Sequence, residues 1–130
     1  PLRSVCTIST HDMATLRGWW EEDPALTARY YNQVLGQWGE VPVTAPGWAC
    51  EEIVRQHLQC PSLLCILAFQ DWLSMDEDLR YPDANAERIN VPANPRHYWR
   101  YRMHLTLEDL MKNKAFNKKM TEMIDEAGRY

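Results

Sequence analysis

The sequence predicts a helix-rich α/β chain whose two strands run parallel and belong to a larger sheet. Two observations carry this. Val5-Cys6-Thr7-Ile8-Ser9 and Leu63-Leu64-Cys65-Ile66-Leu67-Ala68-Phe69 are short apolar runs of strand length. Each ends in polar residues, Thr10-His11-Asp12 after the first and Gln70-Asp71 after the second. The stretch between them has helical spacing, and a strand–helices–strand crossover makes the strands parallel. Both polar ends then emerge on one edge of the sheet, where α/β folds place their chemistry. Two strands alone leave both edges unpaired, so either copies of the chain pair or the strands sit in a larger sheet. The second is expected, and an opening that runs straight into a strand without an initiator Met points to a piece of a longer chain.

The elements follow in order. Val5–Ser9 reads as a buried or half-buried strand. Asp12 is placed to cap a helix in which Met13, Leu16, Trp19 and Trp20 share a face. Asp23-Pro24 has the N-cap and N1 pattern of a second helix, with a stripe of Leu26, Tyr30 and Val34 and a stop at Gly36. Residues 37–47 read as a surface loop. Trp48 to Leu58 forms a third helix, ended by Cys60-Pro61, because proline disfavours helix at the residue before it. The run 63–69 is of the kind buried on both faces in a parallel sheet. Gln70 to Met75 gives a short helical turn. Residues 76–102 form a long loop punctuated by Pro82, Pro92 and Pro95, and loops of this length are usually functional or disordered. Residues 103–130 carry two helices, capped by Thr106 and Asn113, with Leu107, Leu110 and Met111 on the first and Phe116, Met120, Met123, Ile124 and Ala127 on the second.

Composition narrows the function. The 130 residues suit one segment with a core, being 45% hydrophobic. A net charge of -4 argues against wholesale binding of nucleic acid or anionic membrane. No apolar window approaches a membrane span, and the N-terminus lacks a signal-peptide layout. Cys6, Cys50, Cys60 and Cys65 show no C-x-x-C spacing and read as free thiols of a reducing cytoplasm. His57-x-x-Cys60 lacks a second ligand pair for a metal, and no cofactor is expected.

His11-Asp12 has two readings that coexist: a helix cap, or a strand-end carboxylate with an imidazole beside it. The latter pair suits vicinal hydroxyls, since the carboxylate accepts two O–H bonds and the imidazole adds a directed donor. Gln70-Asp71 is a second pair of this sort, or a cap for the turn at Trp72. Arg88 and Asn90, two apart in extended chain, project to one side and offer a grip on a sugar or carboxylate, or else form a solvated loop. Arg96-His97-Tyr98-Trp99-Arg100-Tyr101-Arg102 interleaves cations and aromatics; alternation lets Trp99 and Tyr101 face inward while Arg100 and Arg102 face out.

These residues also carry a resemblance. Ser9-Thr10-His11-Asp12-Met13-Ala14-Thr15-Leu16-Arg17-Gly18-Trp19-Trp20 is similar to the stretch after the seventh barrel strand of the 4-α-glucanotransferases of glycoside hydrolase family 77 (amylomaltases, or disproportionating enzymes). Leu67-Ala68-Phe69-Gln70-Asp71 resembles that family's eighth strand, and Arg88-Ile89-Asn90-Val91-Pro92 its Arg-x-Asn-x-Pro loop. Trp99-Arg100-Tyr101-Arg102 resembles its Trp-x-Trp-Arg element, with Tyr101 in place of the second Trp. The matches run in the family's order from about residue 5 to residue 110. The wording around Asn94-Pro95-Arg96-His97-Tyr98-Trp99 resembles the plant cytosolic disproportionating enzymes and similar bacterial proteins.

The resemblance implies the C-terminal portion of a (β/α)8 barrel, its last two strands plus helices. It implies a retaining enzyme that passes α-1,4-glucan segments between malto-oligosaccharides, with nucleophile and acid/base on earlier strands and so outside this chain. Asp12 would match the clan's third carboxylate, a transition-state stabiliser on the 2- and 3-hydroxyls. His11 would assist on the same sugar, and Gln70, Asp71, Arg88 and Asn90 would bind or position the glucan. The chain by itself is expected to be inactive and to associate through its unpaired strand edges. The rival from another class is a non-catalytic helical module that holds a partner on its Trp/Tyr surface.

Overall fold

The computed structural model describes residues 2–97 and 99–129; Tyr98, one of the interleaved aromatics, lies outside the described residues. Strand β1 spans Val5–Cys6 and β2 spans Leu64–Cys65. They pair in parallel, Val5 opposite Leu64 and Cys6 opposite Cys65, so the crossover argument holds. Both strands are far shorter than their apolar runs. The ladder closes with the Ile66 N–H donating to the Cys6 carbonyl at 2.9 Å. Beyond it the two chains part: Thr7 Oγ1 donates to the Ser9 carbonyl, and Phe69 already belongs to a helix. Burial on both faces is also corrected, because Val5, Leu63, Leu64 and Ile66 are each more than half exposed.

Helix α1 covers Leu16–Glu22, α2 Pro24–Gln33, α3 Gly47–Leu58 and α4 Phe69–Leu73; a 3-10 turn occupies Ala84–Glu87, followed by α5 Leu107–Lys112 and α6 Lys114–Glu126. The start of α1 corrects the capping role expected of Asp12. Thr15 is the N-cap and accepts the Gly18 N–H, which leaves Asp12 outside the helix. Asp23 ends α1 and caps α2, accepting from the Ala25 and Leu26 N–H groups at 3.1 Å each, with Pro24 at N1 as expected. Gly36 takes a φ of 66°, the left-handed conformation that turns the chain out of α2.

The buried face of α2 is Thr27 and Tyr31, not the Leu26–Val34 stripe, whose ends are exposed. The reason is specific. Thr27 Oγ1 donates to the Trp20 carbonyl at 2.7 Å, satisfying the end of α1, and Tyr31 packs edge-on against Trp20. Helix α3 supplies the centre of the core through Ala49, Cys50, Ile53, Val54 and Leu58. Its first residue is Gly47, where a Cβ would lie 2.8 Å from the Met75 carbonyl oxygen, so only glycine fits. Helices α5 and α6 form as read: Thr106 and Asp109 make a reciprocal capping box, and Phe116 and Met123 of α6 bury into the α3 side of the core. Among the described residues, no helix is long and apolar enough to cross a membrane.

Candidate functional site at the strand ends

The site has a buried frame and an exposed rim, both made of polar side chains. The frame is anchored by Asp71 in α4, which is fully buried. Its Oδ1 accepts the Leu16 N–H at 2.9 Å, and its Oδ2 accepts the Ser9 hydroxyl at 2.5 Å. One carboxylate therefore ties the end of the first strand segment, the first turn of α1 and α4 together. Burial pushes its pKa up, and the two hydrogen bonds work against that shift. The expectation that Asp71 faces a ligand is corrected: both oxygens are used internally, and a solute cannot reach them.

Gln70 is buried beside it and donates from Nε2 to the Glu87 carbonyl at 3.3 Å. Glu87 closes the 3-10 turn and is held on both oxygens: Arg17 Nη1 donates to Oε1 at 2.7 Å and Thr15 Oγ1 to Oε2 at 3.1 Å. Arg17 Nη1 also reaches the Tyr81 carbonyl at 2.5 Å. The side chains of Arg17 and Glu87 are 4% and 2% exposed. Burial raises the Glu87 pKa while the Arg17 guanidinium opposes the rise. Ser9, Thr15, Arg17 and Glu87 were missed as site-building residues by the sequence reasoning. The signal for Arg17 was available, since an arginine amid the apolar positions Leu16, Trp19 and Trp20 needs a buried carboxylate or carbonyls to pair with.

The frame decides where the rim sits. Glu87 is immobilised, so Arg88, Ile89 and Asn90 leave it in a fixed direction toward the end of the first strand segment. Asn90 Nδ2 donates to Asp12 Oδ1 at 2.7 Å, across 78 positions of sequence. His11 Nε2 lies 3.2 Å from Asp12 Oδ2, and both side chains remain about half exposed, 54% and 52%. The Trp99 ring stacks at a tilt on His11, centroids 5.2 Å apart, and is itself exposed rather than inward-facing. Tyr101 is half-buried and Arg100 and Arg102 are exposed, so the expected alternation holds for those three. Arg88 Nε turns back to the Asn90 carbonyl at 2.9 Å, and His97 Nε2 lies 3.0 Å from the Ile89 carbonyl oxygen, which stiffens the loop.

A cavity of about 390 Å³ opens beside the rim, and its lining includes the polar Asp12, Glu22 and Arg88 and the apolar Ile8, Trp19 and Ile53. His57 also lines it, with Nδ1 2.7 Å from the Ile53 carbonyl oxygen. Among the described residues no group of three His, Cys, Asp or Glu side chains is arranged to hold a metal.

The chemistry of the rim is that of a carboxylate oriented by an amide and an imidazole, with one indole face in the open. Such a set accepts O–H donors from neighbouring hydroxyls and stacks on an apolar ring face. The side chains bonded to Asp12 are an imidazole and an amide, whereas a retaining glycosidase pair is two carboxyls about 5–5.5 Å apart.

The site lies at the strand ends of a helix-rich chain with a small parallel sheet. The family model described as 4-alpha-glucanotransferase matches residues 1–107, and the chain belongs to that family. The 4-alpha-glucanotransferase DPE2 of Oryza sativa subsp. japonica is 39% identical over 126 residues, covering 97% of this chain and 13% of the rice protein. The 4-alpha-glucanotransferases of Chlamydia muridarum and Aquifex aeolicus are 32% and 30% identical, over 92% and 90% of this chain. The chain spans 13% to 22% of the length of these relatives.

Proposed function

We propose that this chain is the closing part of a 4-α-glucanotransferase, and that in the whole protein Asp12 stabilises the transition state of glucan transfer. The two parallel strands are then neighbours in a (β/α)8 barrel, and the exposed Val5, Leu63, Leu64 and Ile66 are covered by the rest of it. The reaction passes α-1,4-glucan segments between malto-oligosaccharides by retaining double displacement, with the nucleophile and the acid/base supplied by preceding strands. It takes place in the cytoplasm, a setting that suits four free thiols.

The observation that carries this reading is the 2.7 Å contact between Asn90 and Asp12, which brings two family-like motifs to one carboxylate. An ionised Asp12 accepts the 2- and 3-hydroxyls of the sugar at the cleavage point and favours the positive charge of the oxocarbenium-like state. His11 adds a donor to the same sugar, and Trp99 offers a face to the ring. Arg88 and Asn90 set the loop, while Gln70 and Asp71 support the rim from beneath.

The test is Asp12→Asn in the full-length protein, assayed for malto-oligosaccharide disproportionation beside a thermal melt. The variant is expected to melt normally and to lose about 10²–10³-fold in transfer, the scale of losing one preorganised transition-state contact. Retained activity would remove Asp12 from the mechanism. The 130-residue chain alone is expected to leave maltotriose unchanged and to associate through its open strand edges. Turnover by the pure chain, or a monomeric mass by light scattering with intact secondary structure, would count against those two points respectively.

A further inference from the structure

Three of the four thiols gather at one corner of the fold. Cys6 and Cys65 are register partners on β1 and β2, and both thiols point at the His57 carbonyl near the end of α3, at 3.9 Å and 3.5 Å. Cys60 lies just beyond α3, and Cys6 is within hydrogen-bonding reach of it. Arg129, just after α6, closes the corner. Its guanidinium donates to the carbonyls of Leu58 at 2.5 Å, Cys60 at 2.6 Å and Ser62 at 2.9 Å, and Nη2 stands 3.7 Å from Cys60 Sγ. All three thiols are only partly buried, whereas Cys50 lies wholly inside the core.

We propose that Cys60 and Cys6 form a reversible redox pair, in which Cys60 attacks a low-molecular-weight disulfide such as oxidised glutathione and Cys6 resolves the adduct. In the first step the Cys60 thiolate bonds to one glutathione sulfur, and the other glutathione leaves as a thiolate that takes up a proton. In the second, the deprotonated Cys6 sulfur attacks Cys60 Sγ and expels the remaining glutathione. Two protein thiols and one oxidised glutathione become one protein disulfide and two reduced glutathiones.

The roles follow from the surroundings. Burial opposes ionisation of Cys60, but the Ser62 N–H, the Cys6 thiol, the Ser62 hydroxyl and the Arg129 charge outweigh it and bring its pKa below the ordinary thiol value. Cys6 is pushed up to about 12 by burial, by its interaction with Cys60 and by the charges of Cys60 and Cys65, so it waits as a thiol. Capping Cys60 removes that interaction and that charge, which frees Cys6 to ionise for the second step. Burial also raises Cys65 and pushes Cys50 up to about 11, which leaves both as poor attackers. Cys60 sits in a turn rather than in the ladder, so it can adjust to the narrow geometry a disulfide demands. The bond would fasten β1 to the α3–β2 turn.

The experiment treats the native protein with oxidised glutathione near neutral pH and maps peptides without reduction. A glutathione adduct on Cys60 is expected first, then a Cys6–Cys60 cross-link lighter by two hydrogens and reversed by dithiothreitol. Cys6→Ser is expected to stop at the Cys60 adduct, and Cys60→Ser to leave Cys6 and Cys65 unmodified. A Cys6–Cys65 cross-link, or first reaction at Cys6 or Cys65, overturns the proposal. Should a variant fail to fold, iodoacetamide labelling of the unmodified protein decides the matter. Cys60 is expected to react faster at about pH 7 than an unperturbed thiol of pKa ~8.5; equal or slower labelling overturns the assignment.

Discussion

His11-Asp12 and Gln70-Asp71 are both polar pairs at the end of an apolar run, yet the fold treats them oppositely. Asp12 is about half exposed and held by two side chains that leave its outer face open. Asp71 is fully buried, and its oxygens are consumed by Ser9 and Leu16. The first is a group that can meet a ligand, and the second is the post on which that group's surroundings stand. The difference arises a few residues later in each case. After Asp12 the chain stays irregular to Thr15, which leaves the carboxylate at the surface. After Gln70 the chain is already helical, and the first turn of α4 drives Asp71 inward against α1. Buried charge is costly unless fully paired, and here the pairing is complete: among the described residues no buried side-chain nitrogen or oxygen lacks a partner.

That contrast can be broken most forcefully in the frame. Arg17→Met leaves Glu87 as a buried, half-satisfied charge and is expected to cost about 3–5 kcal/mol in urea unfolding. Arg17→Met combined with Glu87→Leu is expected to recover much of that loss. An additive double variant would mean that the pair is not coupled.

On the rim, Asn90→Ala in the full-length protein is expected to lower transfer by about 10–100-fold while leaving the melting temperature nearly unchanged, since it removes one hydrogen bond to a charged group at an open site. A loss of melting temperature without loss of activity would place Asn90 in the frame instead.

Asp71→Asn sharpens the comparison through pH. Burial raises the Asp71 carboxyl, so the folded chain holds its proton more tightly than the unfolded chain does. Its contribution to stability is full below the unfolded value of ~3.9 and is lost as pH rises through the raised folded value. The stability of the wild type relative to Asp71→Asn is therefore expected to fall between acid and neutral pH, by about 1–3 kcal/mol at most, measured as urea midpoints. A flat difference would show that Asp71 is ionised equally in both states. The smallest effect belongs to Trp99→Ala, expected to weaken malto-oligosaccharide binding by about 2–10-fold through the lost ring face, with stability unaltered.

Much of the fold was legible in local chemistry. Asp23-Pro24, Thr106 and Asn113 start helices where their side chains accept N–H groups of the first turn, and that depends only on neighbours along the chain. The parallel pairing followed from chain order, because a helical crossover leaves no other direction. His11-Asp12 and Gln70-Asp71 were expected on one edge from the strand order, whereas the contact of Asn90 with Asp12, and the cavity that Arg88 shares with Asp12, come from the packed loop. What failed did so for a shared reason. The extent of the strands, the inward face of α2 and the cap of α1 all depend on which neighbour reaches a group first. Thr15 and Asp71 took the α1 N–H groups before Asp12 could, and Thr27 was drawn inward by the Trp20 carbonyl.

The sequence by itself determined where most of the helices lie and that its two strands run parallel. These rest on periodicity, capping and side-chain type, all of which act within a few residues. The tertiary structure alone decided that Asp12 is a rim group and Asp71 a buried post. It also decided that Arg17 and Glu87 fix the Arg88–Asn90 loop, and that Cys6, Cys60 and Cys65 share a corner. Each of those depends on contacts between residues far apart in the chain, and burial, which sets whether a carboxylate or a thiol is available, is a property of the packed whole.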